Sequence, residues 1–96
     1  MFQRIALLKL TEAHARDDVR AAASASLRTA IRAGGYDGEV GLPADEPSLK
    51  SWDLSVTVRF RTRAQLEGFD SAEFLRSASG LSPEAVAVVK GWSFEG

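Results

Sequence analysis

The sequence predicts an α+β fold, with four strands in an antiparallel sheet and two helices against one of its faces. Three features carry this expectation. An apolar run, Phe2–Leu10, opens the chain, and a strictly alternating run, Trp52–Arg61, lies past its middle. Each run is followed by a segment with apolar residues at helical spacing, and each such segment ends at glycine. A β-rich stretch, Ala85–Glu95, closes the chain.

In Phe2–Leu10, Ile5 and Leu7 occupy one face and Ala6, Leu8 and Leu10 the other. Apolar residues on both faces suit a central strand covered on both sides. Thr11–His14 breaks the run, and a helix is expected over Ala15–Ala33. Asp17 and Asp18 fall in its first turn, where the helix dipole favours negative charge. Val19, Ala22, Ala23, Ser26, Leu27, Ala30 and Ile31 form its apolar stripe, and Arg16, Arg20, Ser24, Arg28 and Arg32 an opposite, solvated ridge. Gly34-Gly35 ends it.

Tyr36–Leu42 reads as an edge strand, because Gly38 and Gly41 pack poorly inside a sheet. Pro43–Ser51 reads as a loop. In the alternating run, Trp52, Leu54, Val56, Val58 and Phe60 point one way. Asp53, Ser55, Thr57, Arg59 and Arg61 point the other. Thr62-x-x-Gln65 is a capping box that opens a second helix, with a stripe of Leu66, Phe69, Phe74 and Ala78 and a kink near Asp70-Ser71. Gly80 supplies its C-cap, Ser82-Pro83-Glu84 a turn, and Gly91 a bulge in the last strand. The order is β-α-β-β-α-β, the split βαβ or ferredoxin-like pattern, over residues 1–96 as one domain.

With these elements and spacings, the chain resembles the stress-responsive A/B-barrel family of the dimeric α+β-barrel superfamily. The resemblance rests on the strand Arg4-Ile5-Ala6-Leu7-Leu8-Lys9-Leu10, the helix after it, the strand Trp52–Phe60 and the segment Gln65–Phe74. Family members show a histidine near the start of the first strand and often a Tyr-x-x-His-Pro-x-His signature in the second helix. Here Arg4 stands where that first histidine is expected. The signature is reduced to Phe69-Asp70-Ser71-Ala72-Glu73-Phe74, with neither histidine nor proline.

The resemblance implies a homodimer in which two sheets pack face to face with the helices outside. Ile5, Leu7, Lys9, Ser55, Thr57 and Arg59 would then form the interface, with Gln3 and Asp53 beside them. Lys9 and Arg59 would need acceptors, and Asp37, Glu39 and Asp53 are the carboxylates at hand. A solvated face on a monomer is the alternative for these charges. The resemblance also implies a cavity between helices and sheet, where Arg4, Trp52, Leu54, Phe69 and Phe74 would line a ligand site. Cyclase members use histidines and a tyrosine there. None of the residues at those positions in this chain carries a base.

Composition narrows the function further. Twelve basic and thirteen acidic side chains leave a net charge of −1, which argues against a phosphate-backbone binder. There is no cysteine and one histidine, so no thiolate or multi-histidine metal site is expected. Asparagine is absent, which removes the water-holding residue that an acylphosphatase of this topology needs. The central strands lack the stacking aromatics of an RNA-recognition module. His14 reads as a surface or capping residue, and Trp52, Phe60, Phe69, Phe74 and Trp92 as core. No apolar run approaches the ~20 residues of a membrane span. The expectation is a cytoplasmic, non-catalytic homodimeric module that binds a small organic molecule, with no cofactor, metal, nucleic acid or membrane. The alternative is a small-molecule enzyme, cyclase- or monooxygenase-like, in which Arg4 polarises a substrate oxygen in the same cavity.

Overall fold

The computed structural model describes residues 1–96. Its first strand, β1 (Phe2–Leu10), lies inside the sheet, as two apolar faces require. Helix α1 (Asp17–Ala33) follows, then β2 (Asp37–Gly41), α2 (Glu46–Ser51), β3 (Leu54–Phe60), α3 (Arg63–Glu67), α4 (Ser71–Ala78) and β4 (Val86–Glu95). Short 3-10 turns occupy Glu12–His14 and Pro83–Ala85. The sheet order is β2-β3-β1-β4 and every neighbouring pair is antiparallel. This is the ferredoxin-like arrangement.

The register fixes which residues share a face. Phe2 opposes Phe60 and Leu8 opposes Leu54 across β1 and β3. Ala6, Leu8 and Leu10 therefore join Leu54, Val56 and Val58 beneath the helices, all nearly solvent-free. Leu27 of α1 and Leu75 of α4 close the core from above, each fully buried.

Several expectations need correction. The Pro43–Ser51 segment is not all loop, because residues 46–51 form α2. Asp45 caps it by accepting a 2.9 Å hydrogen bond from the Ser48 amide, and Pro47 stands in the first turn, where its missing N–H costs nothing. The second helix is two helices. The capping box at Thr62 forms as expected and starts α3, but Asp70 accepts from the Glu73 amide and starts α4 afresh. A competing N-cap turns the expected kink into a break.

The bulge in β4 lies at Ala87, between the partners of Lys9 and Leu10, and Gly91 stays in register opposite Ala6. Gly91 has another cause: a Cβ there would come within 3.0 Å of the Ser71 hydroxyl, so glycine lets the start of α4 approach the sheet. At the end of α1 the left-handed position is Gly35, at φ 69°.

The buried face of α1 is rotated from the expected stripe. Arg20 and Ser24, assigned to the solvated ridge, are buried beside Ala23, Leu27 and Ile31, and Ala22 is exposed. The reason is Asp53. It does not share the open face with Ser55 and Thr57 but is fully buried, where it accepts from the Leu10 amide at 2.7 Å and from Arg20 at 2.8 Å. A buried carboxylate needs such partners, and Arg20 supplies the charge.

Candidate functional site

The face of the sheet away from the helices carries no covering element. Residues directly opposite one another share a face, so the register writes out its rows. Asp37, Arg59, Gln3 and Phe94 form one row, and Glu39, Thr57, Ile5 and Trp92 the next. Gly41, Ser55, Leu7 and Lys90 form the third, and Lys9 with Val88 extends it.

This face has two halves of different chemistry. The β2–β3 half is polar, and Arg59 meets Glu39 at 2.8 Å and Asp37 at 3.6 Å. Lys9 donates to the Leu49 carbonyl at 3.3 Å and lies 3.5 Å from Asp53. These are the carboxylates that the sequence offered to Arg59 and Lys9. The β1–β4 half is apolar apart from Gln3, Lys9 and Lys90. Val88, Trp92 and Phe94 are 39%, 46% and 51% exposed, with Ile5 and Leu7 half-buried beside them.

Ile5, Leu7, Lys9, Ser55, Thr57 and Arg59 thus lie together on one face. The sequence reading missed its largest members. Trp92, expected in the core, is exposed, and Phe94 stands exposed next to it. The parity of β4 held the signal: small Gly91 and Ser93 alternate with bulky Trp92 and Phe94. The small residues face the crowded helix side.

The ligand residues expected in a helix–sheet cavity separate into two groups. Arg4, Phe69 and Phe74 come together. Arg4 donates to Ser93 Oγ at 2.8 Å, to Ser71 Oγ at 3.2 Å and to the Phe69 carbonyl at 3.3 Å. The Phe69 and Phe74 ring centroids are 5.4 Å apart. Leu54 is buried at the other end of β3, roughly 13 Å along the strand from Val58, the partner of Arg4. Trp52 is a correction as well: it ends α2 and precedes the strand instead of continuing its inward alternation.

Two clefts border the sheet on its β2–β3 side, at opposite ends of β3. One, of about 610 Å³, lies where α1 ends and α3 begins, walled by Tyr36, Phe60 and Phe69, with Arg59 and Arg61 at its rim. Tyr36 packs edge-on against Phe69 at 5.3 Å, Phe74 at 5.7 Å and Phe60 at 6.5 Å. Gly34 permits this, since a Cβ there would stand 2.7 Å from the Tyr36 ring. The second cleft, of about 340 Å³, opens beneath α2 and is lined by Leu7, Leu42, Pro43, Trp52 and Leu54.

No three His, Asp or Glu side chains converge as metal ligands would. His14 lies in the turn before α1, with Nδ1 3.0 Å from the Thr11 hydroxyl. No helix is long and apolar enough to cross a membrane.

No family model matches the chain, and no curated protein does. Among solved structures, it is similar to a dimeric protein of unknown function and ferredoxin-like fold from Bacteroides fragilis NCTC 9343, with a TM-score of 0.70 at 16% identity. The match covers 98% of this chain and 94% of the other, so the two share the ferredoxin-like fold from end to end.

Proposed function

We propose that the protein is a non-catalytic homodimeric α+β module of the stress-responsive A/B-barrel type, working in the cytoplasm. Its open sheet face is the seam between two copies. One observation carries this reading: Val88, Trp92 and Phe94 stand exposed next to Ile5 and Leu7 on a face that no element covers. Contiguous apolar surface of this kind marks an interface. The dimeric state of the Bacteroides fragilis protein supports it.

The charged residues of the face are compatible with burial. Arg59 already holds two carboxylates and Lys9 a third. Lys90, which has no carboxylate partner, lies on the edge strand β4, where its amine can reach solvent at the rim of the seam. Light scattering across a wide concentration range tests the reading. A mass of twice 10.3 kDa at micromolar concentration is expected. A mass of one chain throughout overturns it.

A small organic acid as ligand is a second reading, favoured by a specific observation. Arg4 and Arg61 both border the aromatic cluster, and neither meets a carboxylate. The larger cleft includes no histidine or cysteine, and its carboxylate, Asp37, faces Arg59. That composition suits binding over acid–base chemistry.

A further inference from the structure

The open face carries a projection and a recess of matching chemistry. Trp92 projects from β4 at 46% exposure, next to Phe94. The recess is the 340 Å³ cleft beneath α2, where Leu42, Pro43 and Trp52 overhang Leu7 and Leu54. It is large enough for an indole ring. Within one chain Trp92 flanks Leu7 at the near side of the cleft but cannot reach its Leu42 wall. Leu42 follows the edge strand β2 and Trp92 lies on the opposite edge strand β4, three strand spacings or roughly 14 Å away.

A second copy removes this separation. Dimers of identical chains are overwhelmingly two-fold, and a two-fold interface places each patch against its complement on the partner. Trp92 and the cleft lie on either side of the Ile5–Leu7 stretch of β1. A two-fold axis in the plane between two facing sheets that crosses β1 obliquely between Ile5 and Leu7 exchanges them. It sets the strands of the two sheets at a steep angle, close to the orthogonal class of sheet packing.

We propose that each copy inserts Trp92 into the other copy's cleft beneath α2, with Leu42 and Trp52 as the receiving wall and Ile5 and Leu7 at the axis. This rests on the dimer reading above and adds its register. It also gives α2 a task, because the segment from Leu42 to Trp52 forms the overhang without which the face would be flat. The two tryptophans then meet across the interface, at the kind of aromatic anchor that dominates interface energetics.

Complementation separates this register from dimerisation itself. Trp92→Ala removes the projection, and Ala44→Trp fills the recess from its exposed rim. Each variant alone is expected to dimerise at least tenfold more weakly than the wild type by light scattering, with an unchanged circular dichroism spectrum. Mixed in equal amounts, they keep one intact insertion, from the Ala44→Trp copy into the Trp92→Ala copy. A mixed dimer tighter than either homodimer is therefore expected by native mass spectrometry. If both variants dimerise as the wild type does, or the mixture shows no preference for the mixed dimer, the register is wrong and the dimer reading stands. If the wild type is monomeric, both fall.

Discussion

Arg20 of α1 and Asp53, just before β3, form an ion pair inside the protein, with Nη1 and Oδ1 2.8 Å apart and Asp53 fully buried. The second carboxylate oxygen accepts from the Leu10 amide at 2.7 Å. One side chain thus ties together the end of β1, the start of β3 and the first turns of α1. Arg20 also donates to Asp17 at 2.6 Å, and the guanidinium pKa is raised, first by that bond and then by Asp53. Burial acts in the opposite sense.

Removing one member of this pair should be severe. Asp53→Ala leaves the buried Leu10 amide without its acceptor and the Arg20 guanidinium with Asp17 alone, and a loss of about 3 kcal/mol is expected in urea unfolding. Arg20→Met combined with Asp53→Leu should recover part of that loss, since no buried charge then remains. A single Asp53→Ala variant within 1 kcal/mol of the wild type would show that water reaches the pair.

The helix break at Asp70 gives a second stability test. Asp70→Ala removes the acceptor of the Glu73 amide and should cost about 1 kcal/mol, as N-cap losses do. That corresponds to a melting temperature lower by roughly 4–8 °C for a domain of this size. Asp70→Asn keeps an accepting oxygen and should stay near the wild type.

How far these features were legible in the sequence follows from how local their causes are. The β3 alternation and the Thr62–Gln65 capping box depend on neighbours in the chain, and both appear as read. Asp45-Glu46-Pro47-Ser48 held a local signal for α2, a capping residue with proline in the first turn, but its composition looks like a loop. Asp53 and Arg20 are another matter. Each fits a polar position in its own element, and only the packing of α1 over the β1–β3 junction buries them together. Trp92 was misplaced because size alone suggested the core. Its face follows from the register with β1, where it opposes Ile5.

Acid should loosen α2 ahead of the sheet. The Ser48 hydroxyl and amide lower the pKa of the Asp45 carboxyl below its ordinary 3.8. A depressed folded-state pKa contributes stability that is present above the unfolded value and lost as pH falls through the folded one. The cap is therefore intact at neutral pH and fails below about pH 3.8. The Ser48 amide resonance should move in that range while β3 amides hold still. A Ser48 amide that shifts near pH 6 would contradict the assignment.

Ile5→Asp tests the seam at its centre. Ile5 stands opposite Thr57 on one side and Trp92 on the other, so a carboxylate there would have to be desolvated in the dimer with no cation directly opposite it. Monomers or aggregates are expected, with the secondary structure kept. Thr57→Val, in the same row, removes a hydroxyl and should leave the dimer as tight as before or tighter.

Arg4 is the residue whose role differs most between binding and structure. Its guanidinium is held by two hydroxyls and a carbonyl, which orient it without neutralising its charge. Phe69 contributes both that carbonyl and a wall of the larger cleft, so Arg4, though not itself in the cleft lining, sits against the residue on which a carboxylate ligand would seat. Arg61 stands at the rim of the same cleft. Organic acids with an aromatic or aliphatic body should therefore raise the melting temperature of the wild type. Arg4→Ala should abolish that rise and leave the dimer mass unchanged, because Arg4 faces the helices and not the seam. Arg61→Ala should weaken the rise without removing it. If no acid in a broad panel shifts the wild type, or Arg4→Ala responds equally, the three hydrogen bonds of Arg4 serve only to fasten α4 to β1 and β4.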